Sequence, residues 1–530
     1  MPYLDLRCPA SSDKPLSLIV RVTVTMVTTT TNMPYLDLRC PASSDKPLSL
    51  IVRVTVTMVT ITTNMPYLDL RCPASSDKPL SLIVRVTVTM VTITTNMPYL
   101  DLRCPASSDK PLSLIPLSLI VRVTVTMVTT TTNMPYLDLR CPASSDKPLS
   151  LIVRVTVTMV TITTNMPYLD LRCPASSDKP LSLIVRVTVT MVTITTNMPY
   201  LDLRCPASSD KPLSLIVRVT VTMVTITTNM PYLDLRCPAS SHKPLSLIVR
   251  VTVTMVTTTT NMPYLDLRCP ASSDKPLSLI VRVTVTMVTI TTNMPYLDLR
   301  CPASSDKPLS LIVRVTVTMV TITTNMPYLD LRCPASSHKP LSLIVRVTVT
   351  MVTTTTNMPY LDLRCPASSD KPLSLIVRVT VTMVTITTNM PYLDLRCPAS
   401  SDKPLSLIVR VLSTVTRRTR HALPGLEVPR LQRQASLVNR QTYSYYGYHN
   451  NKRALPGLEV PRLQRQASLV YRQGYSYYGY HNNKRALPGL EVPRLQRQAS
   501  LVNRQGSLHR AEVVQDAQTL KHGQYNNYTI

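Results

Sequence analysis

Between Met1 and Met390 one 32-residue unit, MPYLDLRCPASSDKPLSLIVRVTVTMVTITTN, starts thirteen times with almost no change, and the last copy is incomplete. Near-identity at a fixed period constrains the fold before any single residue is considered. A unit this short cannot bury an apolar face alone, so neighbouring copies must cover it, and each copy must meet its neighbours in the same way.

Within the unit, Val20-Arg-Val-Thr-Val-Thr-Met26 alternates apolar and polar residues at period two and is rich in β-branched side chains, the pattern of a half-buried strand. A shorter alternation runs from Tyr3 to Cys8, and Pro9-Ala-Ser-Ser-Asp-Lys-Pro15 between them is turn material. The expected fold class is therefore a tandem-repeat, predominantly β protein: either each unit is a hairpin in a stacked array, or each is one coil of a solenoid. Identical Leu-Ile-Val-Arg-Val-Thr-Val segments also suit in-register stacking between chains, so self-association or aggregation through them competes with folding. A direct duplication of Pro-Leu-Ser-Leu-Ile at residues 111–120 lengthens one repeat by five residues. An odd insertion within a strand turns every later side chain to the opposite face, which a packed sheet resists.

From Ala422 a different family, ALPGLEVPRLQRQASLVNRQ followed by TYSYYGYHNNKR, recurs with the same 32-residue period. The two families are one stretch of DNA read in two frames. Each codon of the second is the third base of one residue of the first plus the opening two bases of the next. Met1 (ATG) followed by Pro2 (CCN) gives GCC, and the second family opens on Ala422. Met26 and Val27 leave only GGT, where Gly447 stands; Asp13 and Lys14 allow CAA or a stop, where Gln434 stands. Thr442, Arg453 and Arg485 depart from the rule, whereas Gly474, Gly506 and His421 fit it at equivalent positions. The chain therefore divides into an array at 1–411, a frame-change junction at 412–421, basic Tyr-rich repeats at 422–506 and an unrepeated tail at 507–530. The C-terminal region, polar and without lasting periodicity, is expected to be largely disordered.

The net charge of +28 divides into +15 for residues 1–411 and +13 for residues 412–530. In the array each unit sets Arg7, Lys14 and Arg21 against Asp5 and Asp13, so its +1 accumulates by copy number. A chain of this balance binds polyanions non-specifically through counterion release. All 13 cysteines lie between Cys8 and Cys397, one to a unit, which is neither a metal-ligand spacing nor a disulfide framework; the array histidines, His242 and His338, have no second ligand nearby in sequence. Residues 1–30 lack the shape of a signal peptide and no apolar run approaches the roughly 20 residues of a membrane helix, so no membrane span is expected and the cytosol or nucleus is the default compartment.

Few motifs carry chemistry. Ser436, Ser468 and Ser500 each follow an Arg by three residues, a spacing that resembles basophilic kinase sites, and Asn527-Tyr-Thr529 is a glycosylation sequon of consequence only in a secreted chain. Arg interleaved with Tyr in the C-terminal repeats is a composition with which single-stranded nucleic acid can be held and stacked. Thr23-Val-Thr25 resembles, over three residues, the Thr-x-Thr ranks of β-solenoid ice-binding proteins, with an Arg in the strand and three prolines per unit standing against such a surface. Phosphate loops, HExxH and GxSxG are missing from the sequence, and neither an enzymatic activity nor a cofactor is expected. The expectation for function is a translated tandem DNA repeat with no specific biochemical role. The alternatives are a structural or interaction β-repeat protein with a basic Tyr-rich tail, and non-specific binding of RNA or single-stranded nucleic acid through that tail.

Overall fold

In the computed structural model the described residues are 3–12 and 16–28 of the first repeat, the equivalent stretches of the repeats after it, all but short connecting segments between 168 and 401, and a set of strands beyond 405. They are almost wholly β. Each repeat of the array supplies a five-residue, a three-residue and a long strand; in the repeat that starts at Met198 these are Tyr200–Arg204, Ala207–Ser209 and Leu213–Thr225. All three pair in parallel with the same residues of the next repeat, Tyr200 with Tyr232, Ala207 with Ala239 and Leu213 with Leu245. Among the described residues no strand of the array pairs within its own repeat. The protein is thus a parallel β-solenoid, the second of the two arrangements open to the sequence, with each 32-residue period forming one coil.

The chain forms two compact units, Met1–Thr258 with Met262–Lys275, and Thr259–Asn261 with Pro276–Ile530. Both are built on the same coil, and each has its core inside that coil. In Leu245–Thr257 every second side chain is buried, from Leu245 through Val249 and Val253 to Thr257, while Arg250, Thr252 and Val256 are exposed. Leu233, Leu235 and Ala239, from the two shorter strands of that repeat, and Cys237, in the link between them, are buried with them. A fully buried Leu or Val contributes roughly 1.5–3 kcal/mol, and the contribution recurs with every coil. The prolines fall where the chain turns between strands. Cys205 N–H donates to the carbonyl of Arg236 at 2.9 Å and Ala207 N–H to that of Pro238 at 3.0 Å, so hydrogen bonding along the stack continues through the corner at Pro206, which has no N–H to offer.

The duplicated Pro-Leu-Ser-Leu-Ile overturns one expectation. The long strand after it, Leu117–Thr129, pairs Ser118 with Ser81 on one side and Leu117 with Leu149 on the other, so no side chain changes face. The five extra residues fall in the connection between Ala106–Ser108 and Leu117, outside the described residues. Lengthening a connection costs little, whereas shifting a strand by an odd number exposes its whole apolar set.

Beyond Leu405–Thr416 the stack of long strands is continued by Ala435–Tyr446, Ser468–Tyr478 and Ser500–Arg510, parallel and in register, and closed by the antiparallel strand Tyr525–Thr529. The sequence led us to expect disorder across this whole C-terminal region; besides these strands the structure describes there the two-residue strands Leu426–Glu427, Leu458–Glu459 and Leu490–Glu491, which continue the stack of five-residue strands, and the rest lies outside the described residues.

Candidate functional site

The side chains able to do chemistry form rows, because a strict period places equivalent residues one strand spacing apart. On the five-residue strand Tyr168, Asp170 and Arg172 share the face opposite Leu169 and Leu171. Asp170 accepts hydrogen bonds from Arg172 Nε at 2.9 Å and Nη2 at 2.7 Å. The same pair recurs from Asp37 and Arg39 to Asp362 and Arg364. The carboxylate of Asp170 is only 1% exposed and the guanidinium side chain 42%. The hydrogen bond to Asp170 is the main reason the Arg172 pKa is raised. The tyrosines stack from coil to coil, Tyr168 on Tyr200 with ring centroids 4.8 Å apart and planes within 1°. Burial, with Asp170 second, pushes the Tyr168 hydroxyl up to about 12.

At the turn after the three-residue strand, Ser209 Oγ donates to the carbonyl of Lys179 at 2.8 Å and accepts from Lys211 N–H at 3.2 Å, tying one coil to the next. The position occupied by Asp178, Asp210 and Asp274 is held by His242 in one repeat and by His338 in another. His242 Nδ1 lies 2.7 Å from Asp274 and its Nε2 lies 3.9 Å from Asp210. His338 repeats the contact with Asp370 at 2.8 Å. Hydrogen bonding to Asp274 and to Asp370 raises both imidazole pKa values. Sequence reading gave these histidines no partner; the carboxylates are one period away, adjacent only once the coils stack.

The cysteines form a buried row inside the coil, and those described are free thiols. Hydrogen bonds between neighbouring sulfurs raise the pKa of Cys104, Cys173 and Cys237 and lower that of Cys72, Cys141 and Cys205 in alternation, while burial acts to raise them all. Among the described residues no group of three or more His, Cys, Asp and Glu is placed to hold a metal ion.

The outward face of the long strand is different in kind. Its arginines, Arg53, Arg85, Arg122, Arg154, Arg186, Arg218 and Arg250 among them, are all exposed and stand in one unbroken register line. Among the described residues none of these seven has an acidic partner within ion-pair distance. Strand spacing sets them about 4.8 Å apart, inside the roughly 7 Å at which repulsion between unit charges in water equals RT. Thr156 and Thr158 follow Arg154 on the same outward face, so the threonine rank of the sequence exists, beside a line of cations.

The remaining candidates fall on the C-terminal strands. Ser436, Ser468 and Ser500 are register partners of one another, and Asn527 pairs with Val502; their side chains lie outside the described residues. No helix among the described residues is long and apolar enough to cross a membrane. No protein-family model, no curated protein and no solved structure matches this chain.

Proposed function

We propose that the chain is the translation of a 96-base tandem DNA repeat read in two frames, and that it carries no evolved biochemical activity. The observation behind this reading is the codon relation between the 32-residue families, which departs from the rule only at Thr442, Arg453 and Arg485. Independently evolved modules have no reason to agree in this way. A regular core does not weigh against it, because when one alternating strand can stack on its own copy, all can. The test is the DNA of the array. Differences among copies are expected at synonymous and amino-acid-changing sites in proportion to their numbers; an excess of synonymous differences means that selection has preserved the protein and overturns the reading.

A second reading is favoured by the repeated burial of the same core positions and by the unshifted register on both sides of the duplication: a structural or interaction protein whose working part is the solenoid. It requires the full chain to be soluble, with a β far-UV spectrum and a cooperative melt. Recovery of only insoluble protein after dilution from denaturant would exclude it.

A further inference from the structure

We propose that the outward arginine row of the long strand is an anion-binding stripe that takes the phosphodiester backbone of a single-stranded nucleic acid without reading its bases. Of the three cations per unit, the one at the Arg7 position is bound to its own buried Asp, as in Arg172 with Asp170 at 2.7 Å. The one at the Lys14 position sits beside an exposed carboxylate in the turn, as Lys179 follows Asp178. What remains is the arginine of the long strand, so the +1 that accumulates with copy number is a line of guanidinium groups. In the first unit the line runs in register through eight of them, from Arg21 to Arg250. Seven strand spacings of about 4.8 Å give it a length of roughly 34 Å.

In the second unit the line Arg282, Arg314, Arg346, Arg378, Arg410 is continued by Arg440, Arg472 and Arg504 of the C-terminal repeats. These last three are encoded in the other frame, and still they fall on the same register line.

The stripe's geometry selects the partner. Each arginine pairs in register with its counterpart on the next coil, so the row offers one cation per strand spacing along the stack. A flexible single strand can follow such a row, whereas the phosphates of a duplex wind away from it. Guanidinium suits bidentate contact with phosphate. The neighbours of Arg154 on the outward face are Ser150, Ile152, Thr156 and Thr158, with no aromatic ring on which a base could stack. Binding is therefore set by charge and indifferent to sequence. Because the stripe is a physical property of the coil, it stands or falls independently of the chain's origin.

The test uses the full chain and labelled 30-nucleotide poly(U) and poly(A), with affinity read by fluorescence anisotropy between 50 and 300 mM NaCl. The variant Arg154→Gln/Arg186→Gln/Arg218→Gln/Arg314→Gln/Arg346→Gln/Arg378→Gln, which breaks the line in both units, is compared with Lys179→Gln/Lys211→Gln/Lys243→Gln/Lys275→Gln/Lys307→Gln/Lys339→Gln, which removes the same charge from the turns. The arginine variant is expected to lose at least tenfold in affinity at low salt and to lower the slope of log K against log salt by about 2 for a strand bound along either unit, at roughly 0.7 per phosphate contact on single strands. The lysine variant should change little, and the two polynucleotides should bind alike. Far-UV spectra confirm that each variant keeps its β content. Phenylglyoxal labelling provides a second readout, in which poly(U) should protect the arginines of the long strand and leave those paired with Asp unchanged. Equal losses in the two variants overturn the proposal in favour of diffuse net charge. Protection confined to Arg433, Arg465 and their neighbours assigns binding to the C-terminal repeats instead. Stronger binding of a heparin fragment of equal charge makes a sulfated glycan, rather than a nucleic acid, the partner.

Discussion

A single base change puts His242, like His338, at a position that the other repeats give to aspartate, and it changes the charge along the stack. An exposed row of carboxylates repels itself along the stack, and His242 interrupts it between Asp210 and Asp274. Because Asp274 raises the imidazole pKa in the folded state, the protonated form favours folding. That contribution is complete below the unfolded histidine value of about 6.5 and is lost as pH rises through the higher folded value. His242→Asp should therefore lower the denaturation midpoint relative to the parent protein more at about pH 5.5 than at about pH 8.5; an equal deficit at both would show that the imidazole does not titrate against Asp274. The cysteines carry a different expectation. With the thiols of Cys104 through Cys365 buried and thiolate the reactive form, iodoacetamide should label them only after unfolding, whereas half-exposed Cys8 should react in the native protein, as read by intact mass. Labelling of the whole row under native conditions would mean that the core opens readily. Neither row was legible in the sequence, where a residue's nearest ionisable partner stands 32 positions away and looks remote until coils are known to stack.

Strand formation was legible in the alternation of Val20 to Met26, but strand length was not. The strand runs from Leu16 to Thr28, because an identical partner lies alongside every residue and pairing ends only near the connections. The choice of neighbour was equally hidden. Alternation marks which face of a strand is apolar and leaves open whether the partner is the other strand of the same unit or the same strand of the next. The burial of the Asp was not legible either: Asp170 lies under the guanidinium two residues on, a contact that the alternation of the short strand does not mark. The duplication makes a clear test of what tolerates change at this scale. Deleting residues 111–115 should leave the β spectrum intact and the thermal midpoint unchanged or slightly higher, since the strands on either side are already in register. Inserting one residue between Val217 and Arg218 should instead cause loss of cooperative melting, because it turns the half-strand that ends at Thr225 inside out. Equal tolerance of both changes would show that register is not fixed by the core.

For the molecule as a whole, each coil touches only its neighbours, so stability accumulates by nearest-neighbour terms. Near-identical coils have a cost. A coil can meet the wrong copy with almost the same contacts as the right one, within a chain or between two chains, and nothing local marks the error. Soluble recovery after dilution from denaturant should therefore fall as chain concentration rises, even where the folded protein is stable; recovery independent of concentration would argue that folding starts from one favoured place. The tyrosine stack adds a consequence for how such an experiment is read. Parallel, in-register strands repeating at 4.8 Å have the spacing that gives amyloid fibres their meridional reflection. A properly folded single chain is thus expected to bind fibril-specific dyes as a fibre does, so for this protein the native coil is told from a fibre by particle mass and not by dye binding.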